Sequence, residues 1–149
     1  MTPLTKPRHD YMRAIPFIIL LALVMPMVAS AKDTNEVTLV TFKVQNADWA
    51  CITLEEQIQA DTKWDINKTA IPLEPKKAYD IAKRWMLEHF KFAQLVRMEI
   101  LPLGTRLPKL QDHYCYIVEF LALGGREPYR VSVAVLMNGT LIDPKQIVH

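Results

Sequence analysis

The sequence predicts an α+β domain in which one main helix packs on an antiparallel sheet of about four strands, with an N-terminal strand and a short extra helix beside it. Two patterns carry this. Residues 75–91 (PKKAYDIAKRWMLEHFK) space their apolar side chains by three and four, and three later segments alternate along the chain with short polar breaks between them.

In chain order, residues 37–44 (VTLVTFKV) are rich in β-branched side chains and hold one charge, Lys43, which predicts a strand. Thr53 and Glu56 have the spacing of a capping box, in which hydroxyl and carboxylate satisfy free amides at a helix start, so a short helix is expected to about Ala60. Residues 61–73 keep no period and read as a loop held down by Trp64 and Ile66. In the main helix, Ala78, Ile81, Ala82, Trp85, Met86 and Phe90 form the apolar stripe, and Pro75 suits the first helical position, where its missing amide costs nothing. Trp85 is read as core-facing rather than as part of a ligand-binding stripe, because a packed tryptophan beside a solvated basic face is the commoner arrangement.

Residues 94–101 (QLVRMEIL) set Leu95, Arg97, Glu99 and Leu101 against Val96, Met98 and Ile100. Residues 113–123 place Tyr114, Tyr116, Val118 and Phe120 on one face, and residues 129–137 do the same with Val131, Val133, Val135 and Met137. Asn138-Gly139 between apolar runs predicts a hairpin with a type I′ turn, a short return strand over 140–143 and a stop at Pro144. Asn138-Gly139-Thr140 and Asn67-Lys68-Thr69 also match glycosylation sequons, but the first falls in a tight turn that leaves little room for a glycan.

The N-terminus reads as an export signal. Lys6, Arg8 and Arg13 precede an apolar run over 14–28, which ends in Ala29-Ser30-Ala31 and then in polar residues, so cleavage is expected after Ala31. The alternative is an uncleaved anchor, but the run is shorter than the roughly 20 apolar residues of a spanning helix and holds Pro16 and Pro26. The expected organisation is a signal peptide over 1–31 and a single domain over 32–149, in an extracytoplasmic location, periplasmic or secreted. Membrane association is expected only if the leader is retained.

Removing the leader takes Lys6, Arg8 and Arg13 against Asp10 and reduces 18 basic and 16 acidic groups to 15 of each. The mature chain is formally neutral, which argues against nucleic acid as a partner. Cys51 and Cys115 both lie in the exported part, where they form either a disulfide or two buried free thiols; no CxxC is present.

The helix PxxAxxIAxxW from Pro75, the strand YCYIVEF, a glycine-containing break, YRVSVAVLM and NGT together resemble the small exported α+β domains of the PepSY-like kind. The resemblance covers residues 75–144 and lies in element order more than in rare residues. It departs from the usual pattern in closing with Leu141-Ile142-Asp143-Pro144 and in carrying an N-terminal extension from Val37. It implies a non-enzymatic role in binding or inhibiting another exported protein or peptide, and carries over no functional residue.

The residue chemistry points the same way. Outside the leader and the last residue the histidines are His89 and His113; neither sits in a metal-ligand spacing, and no nucleophile elbow, phosphate loop or dinucleotide fingerprint is present, so neither cofactor nor metal is expected. The competing reading is a small hydrolase in which Asp112, His113 and Glu119 converge as a general base. For binding, the expected contacts are Arg106 and Lys109 in the loop 103–111 and Arg126 in the turn 124–128.

Overall fold

The computed structural model describes residues 35–123 and 127–148, all within the unit from Lys32 to His149. The expected leader and Arg126 lie outside the described residues. The elements are β1 (Glu36–Val44), β2 (Ala47–Leu54), α1 (Glu55–Gln59), α2 (Pro75–His89), β3 (Ala93–Pro102), β4 (Tyr114–Leu123), β5 (Pro128–Leu136), β6 (Leu141–Ile142) and β7 (Pro144–Gln146), with a 3-10 turn at Pro108–Leu110.

The class is α+β, but the strands dominate and form two antiparallel sheets rather than one: β1-β2-β7 and β3-β4-β5-β6. The N-terminal strand therefore does not join the main sheet. It pairs with β2, whose segment ADWACITL hides its nature because the adjacent Ala50 and Cys51 are both fully buried, which destroys a two-residue period. A two-residue turn at Gln45-Asn46 joins the strands, with Gln45 at φ 56 where glycine is the usual occupant.

The inner strands β4 and β5 of the four-stranded sheet are covered on both faces, and their alternation assigns each residue. Tyr116, Val118, Phe120 and Ala122 of β4, with Val131, Val133 and Val135 of β5, pack against Ala78, Ala82 and Met86 of α2. Cys115 and Ile117, with Ala134 and Leu136, turn the other way and meet Leu39, Cys51 and Ile58 from β1, β2 and α1. Cover on both sides of these inner strands explains why β5 is buried from Val131 to Leu136.

Several local expectations are corrected. Thr53 lies in β2 and is not a cap: its hydroxyl donates to Gln57 Oε1 at 2.6 Å, while α1 begins after Leu54 and its Glu55 amide donates to the Asn35 carbonyl. In the segment 61–73, Trp64 is buried and donates from Nε1 to the Thr69 carbonyl, but Ile66 is 59% exposed and holds nothing down. The clasp is polar instead: the Asp61 carboxylate accepts the Met137 amide at 2.9 Å and the Asn138 amide at 2.8 Å, and Tyr116 donates to the Leu73 carbonyl at 2.7 Å.

The hairpin at Asn138-Gly139 exists with a different turn. The loop is Met137-Asn138-Gly139, closed by the Leu136 amide donating to the Thr140 carbonyl, and only Gly139 takes a positive φ, at 89. This is the pattern of a three-residue loop ending in a left-handed glycine rather than a type I′ turn. Pro144 does not end the structure. It ends pairing with β5 and opens β7, which crosses to the other sheet opposite Cys51, a place where a missing amide is tolerated.

Candidate binding groove

A groove of about 790 Å³ opens where four elements converge. The β1–β2 hairpin contributes Phe42, Val44 and Trp49; the end of α2 contributes Trp85, Glu88, His89 and Phe90; β5 contributes Tyr129 and Val131; and the crossover between sheets contributes Asp143 and Pro144. The volume lies within the range of small-ligand sites.

The aromatic walls are held by one another. His89 stacks on Trp85 with ring centroids 4.2 Å apart, and its Nδ1 lies 2.8 Å from the Trp85 carbonyl, so the ring is fixed by the last turn of its own helix. Phe90 meets Tyr129 edge to face at 5.8 Å. The Phe90 amide donates to the Met86 carbonyl, and Phe90 leaves the helix in extended backbone, which turns its ring toward β5. Trp85 is half-buried: it packs against the core cluster, as its periodicity leads one to expect, and its remaining surface lines the groove.

Two polar features mark the groove as more than an apolar crevice. The Trp49 indole nitrogen is buried without a hydrogen-bond partner among the described residues, and a donor in that state costs about 1–3 kcal/mol until something accepts from it. The charged groups among the described lining residues are also of one sign: Glu88 and Asp143 are present, and no lysine or arginine is. A ligand that brings apolar bulk and a positive charge would answer the aromatic walls and the carboxylates.

The residues expected from sequence lie elsewhere. Arg106 is exposed and lines a smaller cavity of about 240 Å³ with Thr38, Glu99 and Ile117; Lys109 is exposed and sits 4.0 Å from Glu55. Neither lines the large groove. Asp112, His113 and Glu119 are not brought together. His113 and Glu119 are six residues apart along an extended strand, roughly 20 Å. Asp112 is exposed at φ 64, and His113 is buried with Nδ1 facing the Gln111 carbonyl at 3.1 Å. Glu119 is buried between Arg97, whose Nε lies 2.7 Å from Oε2, and Arg130, whose Nη1 donates to Oε1 at 2.9 Å. Its two oxygens are engaged by guanidinium groups across neighbouring strands.

Cys51 and Cys115 are free thiols, both fully buried in the apolar cluster between the two sheets. Burial pushes each thiol up to about 12, and the nearby Cys51 adds to the shift at Cys115. Cys51 Sγ lies 3.5 Å from the Ser132 carbonyl.

Among the described residues no group of three or more His, Cys, Asp or Glu is placed to hold a metal ion, and no helix is long and apolar enough to cross a membrane. No family model, no curated protein and no solved structure matches the chain.

Apart from Trp85, whose ligand-binding reading gave way to a core-facing one, the groove residues escaped the sequence reading for a plain reason. Phe42, Trp49, Trp85 and Tyr129 come from four separate elements, and each looks like ordinary packing in its own segment. The one local signal was the Trp85-Glu88-His89 spacing, which puts all three on one side of the final helical turns.

Proposed function

We propose that this chain is an exported, non-enzymatic binding domain that captures an apolar, positively charged segment of another exported protein in the aromatic groove. The observation that carries this reading is the joint presence of aromatic walls and two carboxylates with no lysine or arginine among the described lining residues. A segment entering there buries its apolar side chains and sets a lysine or arginine near Glu88 and Asp143. The PepSY-like resemblance over residues 75–144 and the export signal over 1–31 support the same reading, since both imply an extracytoplasmic partner.

The test uses the protein's own reporters, because Trp49 and Trp85 line the groove while Trp64 is in the core. Apolar peptides carrying one lysine are titrated while tryptophan emission is followed, and the same chain serves as bait for the extracytoplasmic fraction. Saturable binding that Trp85→Ala weakens at least about tenfold is the expected outcome, in line with losing a large aromatic contact. Arg106→Ala combined with Lys109→Ala is expected to leave it unchanged. Binding lost in the Arg106 and Lys109 variant and kept in Trp85→Ala would move the contact to the 103–111 loop.

A further inference from the structure

β3 is an edge of the four-stranded sheet: β4 pairs along one side and no strand of the described residues pairs along the other. It is also exposed on most of its length, including Leu95 at 41%, Val96 at 41% and Ile100 at 38%. An open strand of this length with bare aliphatic side chains is a template for another strand. The question is which strand fits, and the sequence of β3 answers it.

Leu95-Val96-Arg97-Met98-Glu99-Ile100-Leu101 reads nearly alike in both directions, except that the charges flanking Met98 are opposite. We propose that β3 pairs with β3 of a second copy of this chain, antiparallel about a two-fold axis through Met98, to make one continuous eight-stranded sheet. In that register Arg97 lies opposite the partner's Glu99 and Glu99 opposite the partner's Arg97. Met98 faces its own symmetry mate. The side chains agree in direction as well. Arg97 and Glu99 stand beside Glu119 and Ile117 of β4, hence on one face, while Met98 and Ile100 stand beside Val118 and Tyr116 on the other.

Neighbouring registers fail on charge. Moving the axis to Arg97 sets arginine against arginine, and moving it to Glu99 sets glutamate against glutamate, both unfavourable directly across strands. The bulge between Leu95 and Arg97 limits regular pairing to the few residues around the axis. The dimer is therefore small and exchanges with monomer rather than being permanent. This inference is independent of what occupies the groove.

The test is sedimentation equilibrium on the protein as recovered from the producing cell, over a concentration series, with two variants. Glu99→Lys removes the complementary charge at an exposed position, where among the described residues the only ion pair to Glu99 is the long 3.8 Å contact with Arg97, so folding is preserved and a far-ultraviolet spectrum checks that it is. Met98→Cys sets two thiols opposite each other at the axis, within reach of a short bifunctional maleimide, while Cys51 and Cys115 stay buried. The expected result is a concentration-dependent dimer, a dissociation constant at least about tenfold higher in Glu99→Lys, and covalent dimer from Met98→Cys that Glu99→Lys suppresses. Monomer at every concentration up to the millimolar range would overturn the proposal. So would a dimer indifferent to Glu99→Lys that gives no cross-link at position 98, since it would be using another surface.

Discussion

Asp61 ties two distant parts of the chain together with a single carboxylate. Its oxygens accept the amides of Met137 and Asn138, so the segment after α1 is clasped to the tip of the β5–β6 hairpin. The carboxylate is only 5% exposed, and hydrogen bonds to a charged acceptor contribute about 1.5–3 kcal/mol each. Asp61→Ala leaves two amides without their acceptor at a buried site, and is expected to cost about 3 kcal/mol in urea unfolding. Asp61→Asn keeps one acceptor oxygen and should cost about half as much. Equal loss in the two variants would show that shape and a single acceptor contribute nothing, and that the site needs both amides accepted by a carboxylate. Asn138 also accepts the Thr140 amide at 2.8 Å, so the hairpin tip has its own local bond and should keep its form when Asp61 is replaced.

At the scale of elements, α2 is held by its buried face more than by its ends. Its N-cap residue is Glu74, whose side chain makes no capping bond, and no acidic residue occupies the first turn. Serine or aspartate at that position would accept one of the free amides. Glu74→Ser is therefore expected to stabilise the fold by about 0.5–1 kcal/mol, seen as a higher urea midpoint at unchanged slope. The same helix shows how far sequence reaches. Its apolar period located it to within two residues at the C-terminus, and the alternation over Tyr114, Tyr116, Val118 and Phe120 and over Val131, Val133 and Val135 gave the helix-facing side of the sheet correctly. What stayed hidden was tertiary. β2 carries buried neighbours on both sides at Ala50 and Cys51, so it has no period to read, and Val96 is an extra residue in β3 that shifts Leu95 onto the face of Met98. The groove was invisible because a ring at a helix end looks the same whether core or open space lies beyond it.

The molecule as a whole consists of two sheets joined by side-chain packing, by α1 and its following segment, and by the Asp143-Pro144 crossover. Cys51 on β2 and Cys115 on β4 lie in the apolar layer between the sheets, so their redox state bears on the cohesion of the entire fold. As thiols, both are raised to about 12 by burial, well above the value of an unfolded cysteine near 9. Above pH 9 the unfolded chain releases these protons while the folded chain retains them, so the unfolded state binds fewer protons and stability falls as pH rises. The contribution is fully present below about pH 9 and is lost progressively toward pH 12. A disulfide formed between them under oxidising conditions would close a long loop, with stabilisation of about 4 kcal/mol on the chain-entropy account. It would also remove both titrating groups. Urea midpoints followed from pH 8 to pH 11 are therefore expected to decline more steeply for protein kept reduced than for protein exposed to a thiol oxidant. The oxidised form should be the more stable at every pH, and iodoacetamide added in denaturant should label it only after reduction. Two labelled thiols in the unreduced, oxidant-treated protein, together with coincident pH profiles, would show that the pair stays unbridged and that no covalent cross-link adds to the contacts that join the sheets.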